Sequence, residues 1–202
     1  MDATTTLAWE MAKRCGRYLL GRPRAVQRFV MQQPVGSLTM TVDSDHAGCI
    51  RTRRSTSGLA ALHGRHMLKA AAGTQTVLAI SSGESEFYSI VKGVATGLGL
   101  TSMAADFGIS LKLIVETDSV AGRGMSLRLG AGKVRHIETH WLWVQGVFHR
   151  REAECKKIPG ITNGADLMTK YLDGATIEKH MAQLGWVFVG GRSGLALRAA
   201  VA

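Results

Sequence analysis

The 202-residue sequence is poor in cysteine and in acidic residues, and it has no long apolar run. Its three cysteines, Cys15, Cys49 and Cys155, are odd in number and far apart, which argues against a disulfide framework and a CxxC metal pair. No apolar run approaches the roughly 18 residues of a membrane span, and no cationic segment followed by an apolar stretch marks a secretory signal. We therefore expect an intracellular protein, cytoplasmic or nuclear, with no membrane partner.

The charge balance favours a polyanionic partner. Twenty-five Lys and Arg stand against fifteen Asp and Glu, which gives a formal net charge of +10. Nucleic acid is the common partner of such a basic chain, and the alternative is a basic protein that has no such partner. Because hydrophobic residues make up 46% of the sequence, the chain can bury a packed core rather than stay disordered.

The first half of the chain shows one helical segment followed by strands. Apolar residues over 3–20 recur at helical spacing, and Pro34 with Gly36 marks a boundary. Residues 37–43 alternate strictly between apolar and polar side chains, which predicts a half-buried strand with Asp43 at its end. We expect two further strands, antiparallel to each other, over residues 57–80.

The second half alternates helices with strands. The patterns predict a helix from Ser82 to about Leu98, a strand over 111–117, a short helix, a helix over 134–149, a strand over 153–158, a helix around Asp166 capped by Asn163, and a last helix through 177–184. This order predicts an α/β fold with a five-stranded mixed sheet, in which an antiparallel meander precedes parallel strands and helices flank the sheet.

Four acidic residues stand at strand ends and helix starts, where an α/β sheet can bring them together: Asp43, Glu86, Asp118 and Asp166. Converging carboxylates repel one another unless cations neutralise them. Hard oxygen ligands suit Mg²⁺ or Mn²⁺, and two such ions can promote hydrolysis of a phosphodiester. Each acid taken alone also has an ordinary interpretation, as a turn residue, a helix-dipole partner or a solvated surface charge.

Six short motifs occur in a fixed order along the chain. They are VDSDHAG (42–48), RSTSG (54–58), LAISSGESEFY (78–88), TDS (117–119), RHIE (135–138) and ADLMTK (165–170). In this order they resemble the motifs of the ribonuclease H domain of copia-type (Pseudoviridae-like) LTR retrotransposon polyproteins. Residues 12–21 are similar to the helix that joins reverse transcriptase to that domain, so the resemblance runs from about residue 8 to about residue 172.

The resemblance implies a ribonuclease H-like fold and an endonuclease that hydrolyses the RNA strand of RNA–DNA hybrids during reverse transcription. It implies two Mg²⁺ ions, with Mn²⁺ as a substitute, held by Asp43, Glu86, Asp118 and Asp166, and no small-molecule cofactor. Glu84 is the fallback for Glu86, and Asp45 lies close enough in sequence to tune the site. The expected partners are the hybrid and the reverse transcriptase domain of the same polyprotein.

Other residues are candidates for contacts with the substrate. The expected contacts with the nucleic-acid backbone are Ser44, Arg51, Arg53, Arg54, Ser55, Lys133 and Arg135, with Lys69, Ser57 and Ser119 as further candidates. His136 is a candidate for assisting product release. Together with His140 it has the i, i+4 spacing of a zinc pair on a helix, but no third ligand is apparent, so we do not expect zinc.

Three segments are predicted: a helical connector over residues 1–35, the ribonuclease H-like domain over 36–172, and a helix with a flexible tail over 173–202. The sequence departs from the family at His46 and Tyr171, where the family has Trp and Pro, and at residues 68–72, which lack its W-x-S element. These departures support an alternative, an inactive or domesticated module that binds nucleic acid or a polymerase domain. A DNA-cutting nuclease or integrase of the same fold fits the pattern of acids less well.

Overall fold

A computed structural model describes residues 5–191 of the chain. The helices and strands follow one another as α1 (Thr6–Gly21), β1 (Ala25–Gln27), β2 (Ser37–Ser44), β3 (Thr56–His63), β4 (His66–Thr74), α2 (Ser82–Asp106), β5 (Lys112–Thr117), α3 (Val120–Leu127), α4 (Trp143–His149), β6 (Ala153–Lys157), α5 (Gly174–Gln183) and β7 (Trp186–Phe188). Short 3₁₀ turns span Thr139–Leu142, Gly160–Thr162 and Gly164–Met168.

The five longer strands form one mixed sheet in the order β4-β3-β2-β5-β6. Strands β2, β3 and β4 are antiparallel neighbours, whereas β2 with β5 and β5 with β6 run parallel. This arrangement confirms the predicted fold class, a ribonuclease H-like five-stranded mixed sheet flanked by helices. Because β2 is the central strand, its alternating residues Leu38, Met40 and Val42 are completely buried.

Helix α2 lies directly on the sheet. Its residues Phe87, Ile90 and Val94 are fully buried at the helical spacing that the sequence predicts. Gly93 and Gly97 allow the close approach, since a Cβ on Gly93 would lie 2.5 Å from a Val42 methyl and one on Gly97 would lie 2.4 Å from a Leu113 methyl. Gly99 of the same helix faces open space, because a Cβ there would have no neighbouring atom within 4 Å.

One predicted helix is wrong in its first half. Residues 134–149 are not a continuous helix: a 3₁₀ turn over Thr139–Leu142 leads into α4, and Glu138 before it has extended backbone angles. The physical reason is a tertiary contact, because His136 is turned toward a buried carboxylate on α2. The segment around Asp166 is likewise a 3₁₀ turn rather than an α-helix, although Asn163 caps it as predicted.

Two compact units divide the described chain, residues 29–184 and residues 5–28 with 185–191. In the second unit β1 pairs with β7 in antiparallel fashion, and Tyr18 meets Phe188 edge to face with ring centroids 6.4 Å apart. Neither three-residue strand is predicted from the sequence. The three-segment division stays a prediction, and most of the expected flexible tail lies outside the described residues. Within residues 5–191, no helix has the combination of length and apolar character needed to cross a bilayer.

Gly93→Val should destabilise the protein by about 1–3 kcal/mol, because the new side chain must displace the buried Val42. Gly99→Ala, on the same helix but facing open space, should instead stabilise it by about 0.5–1 kcal/mol. Urea unfolding of both variants tests this account of the helix–sheet contact. Equal stability changes in the two variants would contradict it.

Candidate metal centre

Two acidic side chains lie together at the carboxyl edge of the central strands. Asp43 is near the end of β2, and Asp118 directly follows β5. The parallel register that pairs Thr41 with Glu116 carries both acids to the same edge of the sheet. Asp43 is 1% exposed, so its carboxylate is almost entirely removed from water.

The third acid of this edge, Glu86, comes from the first turns of α2. Ser81 caps that helix through a hydrogen bond that its side chain accepts from the Glu84 amide. Helix α3 comes close behind Glu86, because a Cβ on Gly122 would lie 2.8 Å from the Glu86 Cβ. The glycine therefore lets α3 pack directly against the turn of α2 that presents this carboxylate.

These three carboxylates form one cluster. One oxygen from each of Asp43, Glu86 and Asp118 lies within 4.8 Å of the other two. Burial raises the pKa of Glu86 to about 8, and repulsion from Asp43 and Asp118 adds to the shift. Burial also raises the pKa of Asp43, although the Thr169 hydroxyl and Lys170 partly offset it.

The cluster fits a hard divalent cation. All three ligands are carboxylate oxygens, the donors that Mg²⁺ and Mn²⁺ prefer. The Glu86 Oε2 atom is buried and has no hydrogen-bond partner among the described residues, and a positive charge would satisfy it. Burial and the nearby charges of Asp43 and Asp118 both raise the pKa of Glu86, and a bound cation would oppose both effects.

The fourth predicted ligand, Asp166, lies outside the three-acid cluster, and Lys170 pairs with both Asp166 and Asp43. Asp166 lies in the turn Gly164–Met168, and its Oδ1 atom is 2.8 Å from the Lys170 Nζ. The same Nζ is 3.2 Å from Asp43 Oδ1. Sequence reasoning did not assign a role to Lys170, although its i, i+4 spacing from Asp166 could have signalled an ion pair.

Glu84 and His136 form a separate pair. Glu84 is 1% exposed and accepts hydrogen bonds from the Tyr88 hydroxyl and the Ile80 amide, while His136 Nε2 lies 2.8 Å from its Oε2. This supports Glu86 over Glu84 as the cluster acid. His136 contacts Glu84, which is not a member of the cluster, so the predicted role of His136 in product release gains no support. Because residue 136 is not helical, His136 and His140 do not share one face of a helix.

Asp45 is also outside the three-acid cluster. Its carboxylate accepts a hydrogen bond from the Thr56 amide, which ties the loop after β2 to the start of β3. The influence of Asp45 on the acidic cluster stays a prediction.

The predicted substrate contacts fall into two groups. The serines are buried and bonded within the protein: Ser44 donates to the Ser85 hydroxyl, and Ser55 accepts from the Ala47 amide. Ser57 is buried too, so a direct contact of these hydroxyls with nucleic acid gains no support. The cationic candidates are exposed, namely Arg51, Arg53, Arg54, Lys69, Lys133 and Arg135.

No family model and no curated protein matches the chain. Among solved structures, it is similar to LC11-RNase H1 isolated from compost, with 12% identity and a TM-score of 0.51 over 66% of this chain and 93% of that one. The complex of that enzyme with an RNA/DNA hybrid matches with 12% identity and a TM-score of 0.44 over 65% and 93%. The protease-reverse transcriptase of Prototype Foamy Virus matches with 10% identity and a TM-score of 0.41 over 72% and 21%. At these identities the likeness shows the fold, which is that of ribonuclease H.

Glu86→Gln should flatten the pH dependence of stability of the metal-free protein. The folded-state pKa of Glu86 is raised, so its contribution to stability is fully present below the ordinary value of 4.5 and is lost as the pH rises through about 8. Thermal melting in the presence of a chelator, at several pH values across this window, measures the effect. Asp106→Asn, at the exposed far end of α2, is the matched control and should keep the wild-type slope. A wild-type slope in Glu86→Gln would contradict the burial of this charge.

Proposed function

We propose that this chain is a divalent-metal-dependent endonuclease that hydrolyses the RNA strand of RNA–DNA hybrids. The observation that carries the proposal is the convergence of Asp43, Glu86 and Asp118 at the carboxyl edge of a ribonuclease H-like sheet. Fold likeness alone does not decide a reaction, whereas a cluster of three carboxylates, one buried and two half-buried, has a direct use in phosphodiester hydrolysis.

The proposed mechanism uses two divalent cations, Mg²⁺ or Mn²⁺. Asp43, Glu86 and Asp118 would hold one, and Asp43 with Asp166 would hold the other. When bound, such cations make a water nucleophilic at neutral pH and offset the charge that develops on the leaving oxygen. Asp43 is common to both positions, and its burial fixes the carboxylate in place before substrate arrives.

The substrate would be held by exposed cations around this edge. Arg51, Arg53 and Arg54 lie in the loop that follows β2, and Lys133 and Arg135 lie in the loop before α4. Hybrids are close to A-form and are recognised mainly through phosphates and 2′-hydroxyls rather than base edges. The net charge of +10 suits this type of contact.

The order of the sequence motifs supports a biological setting for this activity. We propose that the chain derives from a copia-type LTR retrotransposon polyprotein and degrades the RNA template during reverse transcription. Its partner would be the reverse transcriptase domain of the same polyprotein. These assignments depend on the motif resemblance described above.

Wild-type protein should cut the RNA strand of a labelled hybrid in Mg²⁺ or Mn²⁺ and leave duplex DNA and duplex RNA intact. Asp118→Asn should lower the cleavage rate by about 100-fold or more, because it removes a carboxylate that would hold the divalent cation at the reacting phosphate. Glu84→Gln should retain cleavage, since Glu84 lies outside the cluster. Circular dichroism checks that each variant is folded.

Two results would contradict the proposal. Hybrid cleavage by Asp118→Asn at the wild-type rate would show that the cluster is not the active site. Salt-sensitive binding of the hybrid by folded wild-type protein, without metal-dependent cleavage, would favour the alternative of an inactive nucleic-acid-binding module.

A further inference from the structure

Lys170 places a positive charge between two buried acids. Its Nζ lies 2.8 Å from Asp166 Oδ1 and 3.2 Å from Asp43 Oδ1. The Lys170 side chain is 40% exposed, whereas those of Asp43 and Asp166 are 1% and 12% exposed. Asp43 is also a member of the three-acid cluster, so one carboxylate is shared between that cluster and an ammonium group.

The backbone around Lys170 is fixed against the sheet. Gly58 of β3 pairs with Asp43, and a Cβ on Gly58 would lie 2.9 Å from the Ala165 carbonyl oxygen and 2.8 Å from a Thr169 methyl. Because Gly58 has no side chain, the segment that carries Lys170 can pack directly against β3. The side-chain amide of Asn163 holds the start of this segment by donating a hydrogen bond to the Val42 carbonyl oxygen at 3.0 Å.

Residues next to Asp166 contact both oxygens of Asp43. The Thr169 hydroxyl donates a hydrogen bond to Oδ2. Oδ1 is buried without a hydrogen-bond partner among the described residues and faces the Lys170 ammonium at ion-pair distance. A lysine side chain carries a positive charge at neutral pH. A divalent cation between Asp43 and Asp166 would therefore meet an ammonium group already within ion-pair distance of both carboxylates.

We propose that Lys170 is a built-in occupant of the second cation position. Its ammonium offsets part of the negative charge of Asp43 and Asp166 in the metal-free protein, while one divalent cation binds firmly to Asp43, Glu86 and Asp118. A second cation binds only when the Lys170 side chain leaves. This inference rests on the proposed function, because it takes the three-acid cluster as a metal centre.

The first test counts the ions that bind. Titration with Mn²⁺, followed by the electron paramagnetic resonance signal of free Mn²⁺, gives the number of sites and their dissociation constants without any substrate. Wild-type protein should bind one ion firmly and a second, if at all, much more weakly. Lys170→Met should strengthen binding of the second ion by roughly 10-fold or more, because the competing charge is gone.

Two variants serve as controls for this titration. Lys170→Arg keeps the charge and should bind Mn²⁺ as the wild type does. Lys112→Met removes a lysine whose exposed side chain pairs with Glu154 at 2.7 Å on strands β5 and β6, and it should also bind as the wild type does. If the dissociation constant of the second ion is the same in Lys170→Met as in the wild type, the inference is overturned.

A further variant separates this inference from the proposed function. Asp118→Asn should abolish or greatly weaken the first Mn²⁺ site. If it leaves that site unchanged, the proposed metal centre is wrong and the inference falls with it. If it weakens the first site while Lys170→Met binds as the wild type does, the inference alone is wrong and the metal centre stands.

A second measurement needs only wild-type protein, in case Lys170→Met does not fold. Brief acetylation of lysines, read by mass spectrometry, reports how accessible each ammonium is. Acetylation of Lys170 should rise severalfold as Mn²⁺ is raised from the level that fills the first site to millimolar, while acetylation of Lys112 stays constant. Constant acetylation of Lys170 across that range would overturn the inference.

Discussion

Mutual repulsion of carboxylates that the backbone forces together is the constraint on which this structure depends. The parallel register of β2 and β5 delivers Asp43 and Asp118 to one sheet edge, and α2 adds Glu86. Burial, together with this repulsion, raises the pKa of Glu86 to about 8, and Lys170 pairs with Asp43. Such a cluster opposes folding, and binding of a divalent cation to the folded chain would offset that cost.

Glycines, which have no side chain, allow the elements that carry these acids to pack closely together. Gly122 admits α3 behind Glu86, and Gly58 admits the segment that carries Asp166. Gly160 has a similar role, since a Cβ there would lie 2.8 Å from Asp118 Oδ2. The three close contacts surround the acids on different elements. The site is thus built by packing of the backbone: Asp43 lies in a strand, Glu86 in a helix, and Asp118 directly after a strand.

Local patterns in the sequence predict the elements that position the site. Strict alternation in β2, the β-branched run of β5 and the helical spacing of α2 are strong signals because each element buries a face against the core. The segment 134–138 could not be predicted in this way, since its path depends on the contact between His136 and Glu84, which are 52 residues apart. Likewise, the pairing of Lys170 with Asp43 joins residues far apart in sequence and depends on side-chain placement.

The most direct test of the central claim is anomalous X-ray diffraction from crystals of the chain grown or soaked with Mn²⁺. The structure predicts an anomalous peak in contact with the carboxylates of Asp43, Glu86 and Asp118. A map with no peak at these three side chains, at a Mn²⁺ concentration that saturates the protein in solution, would contradict the assignment of a metal centre at the edge of β2 and β5.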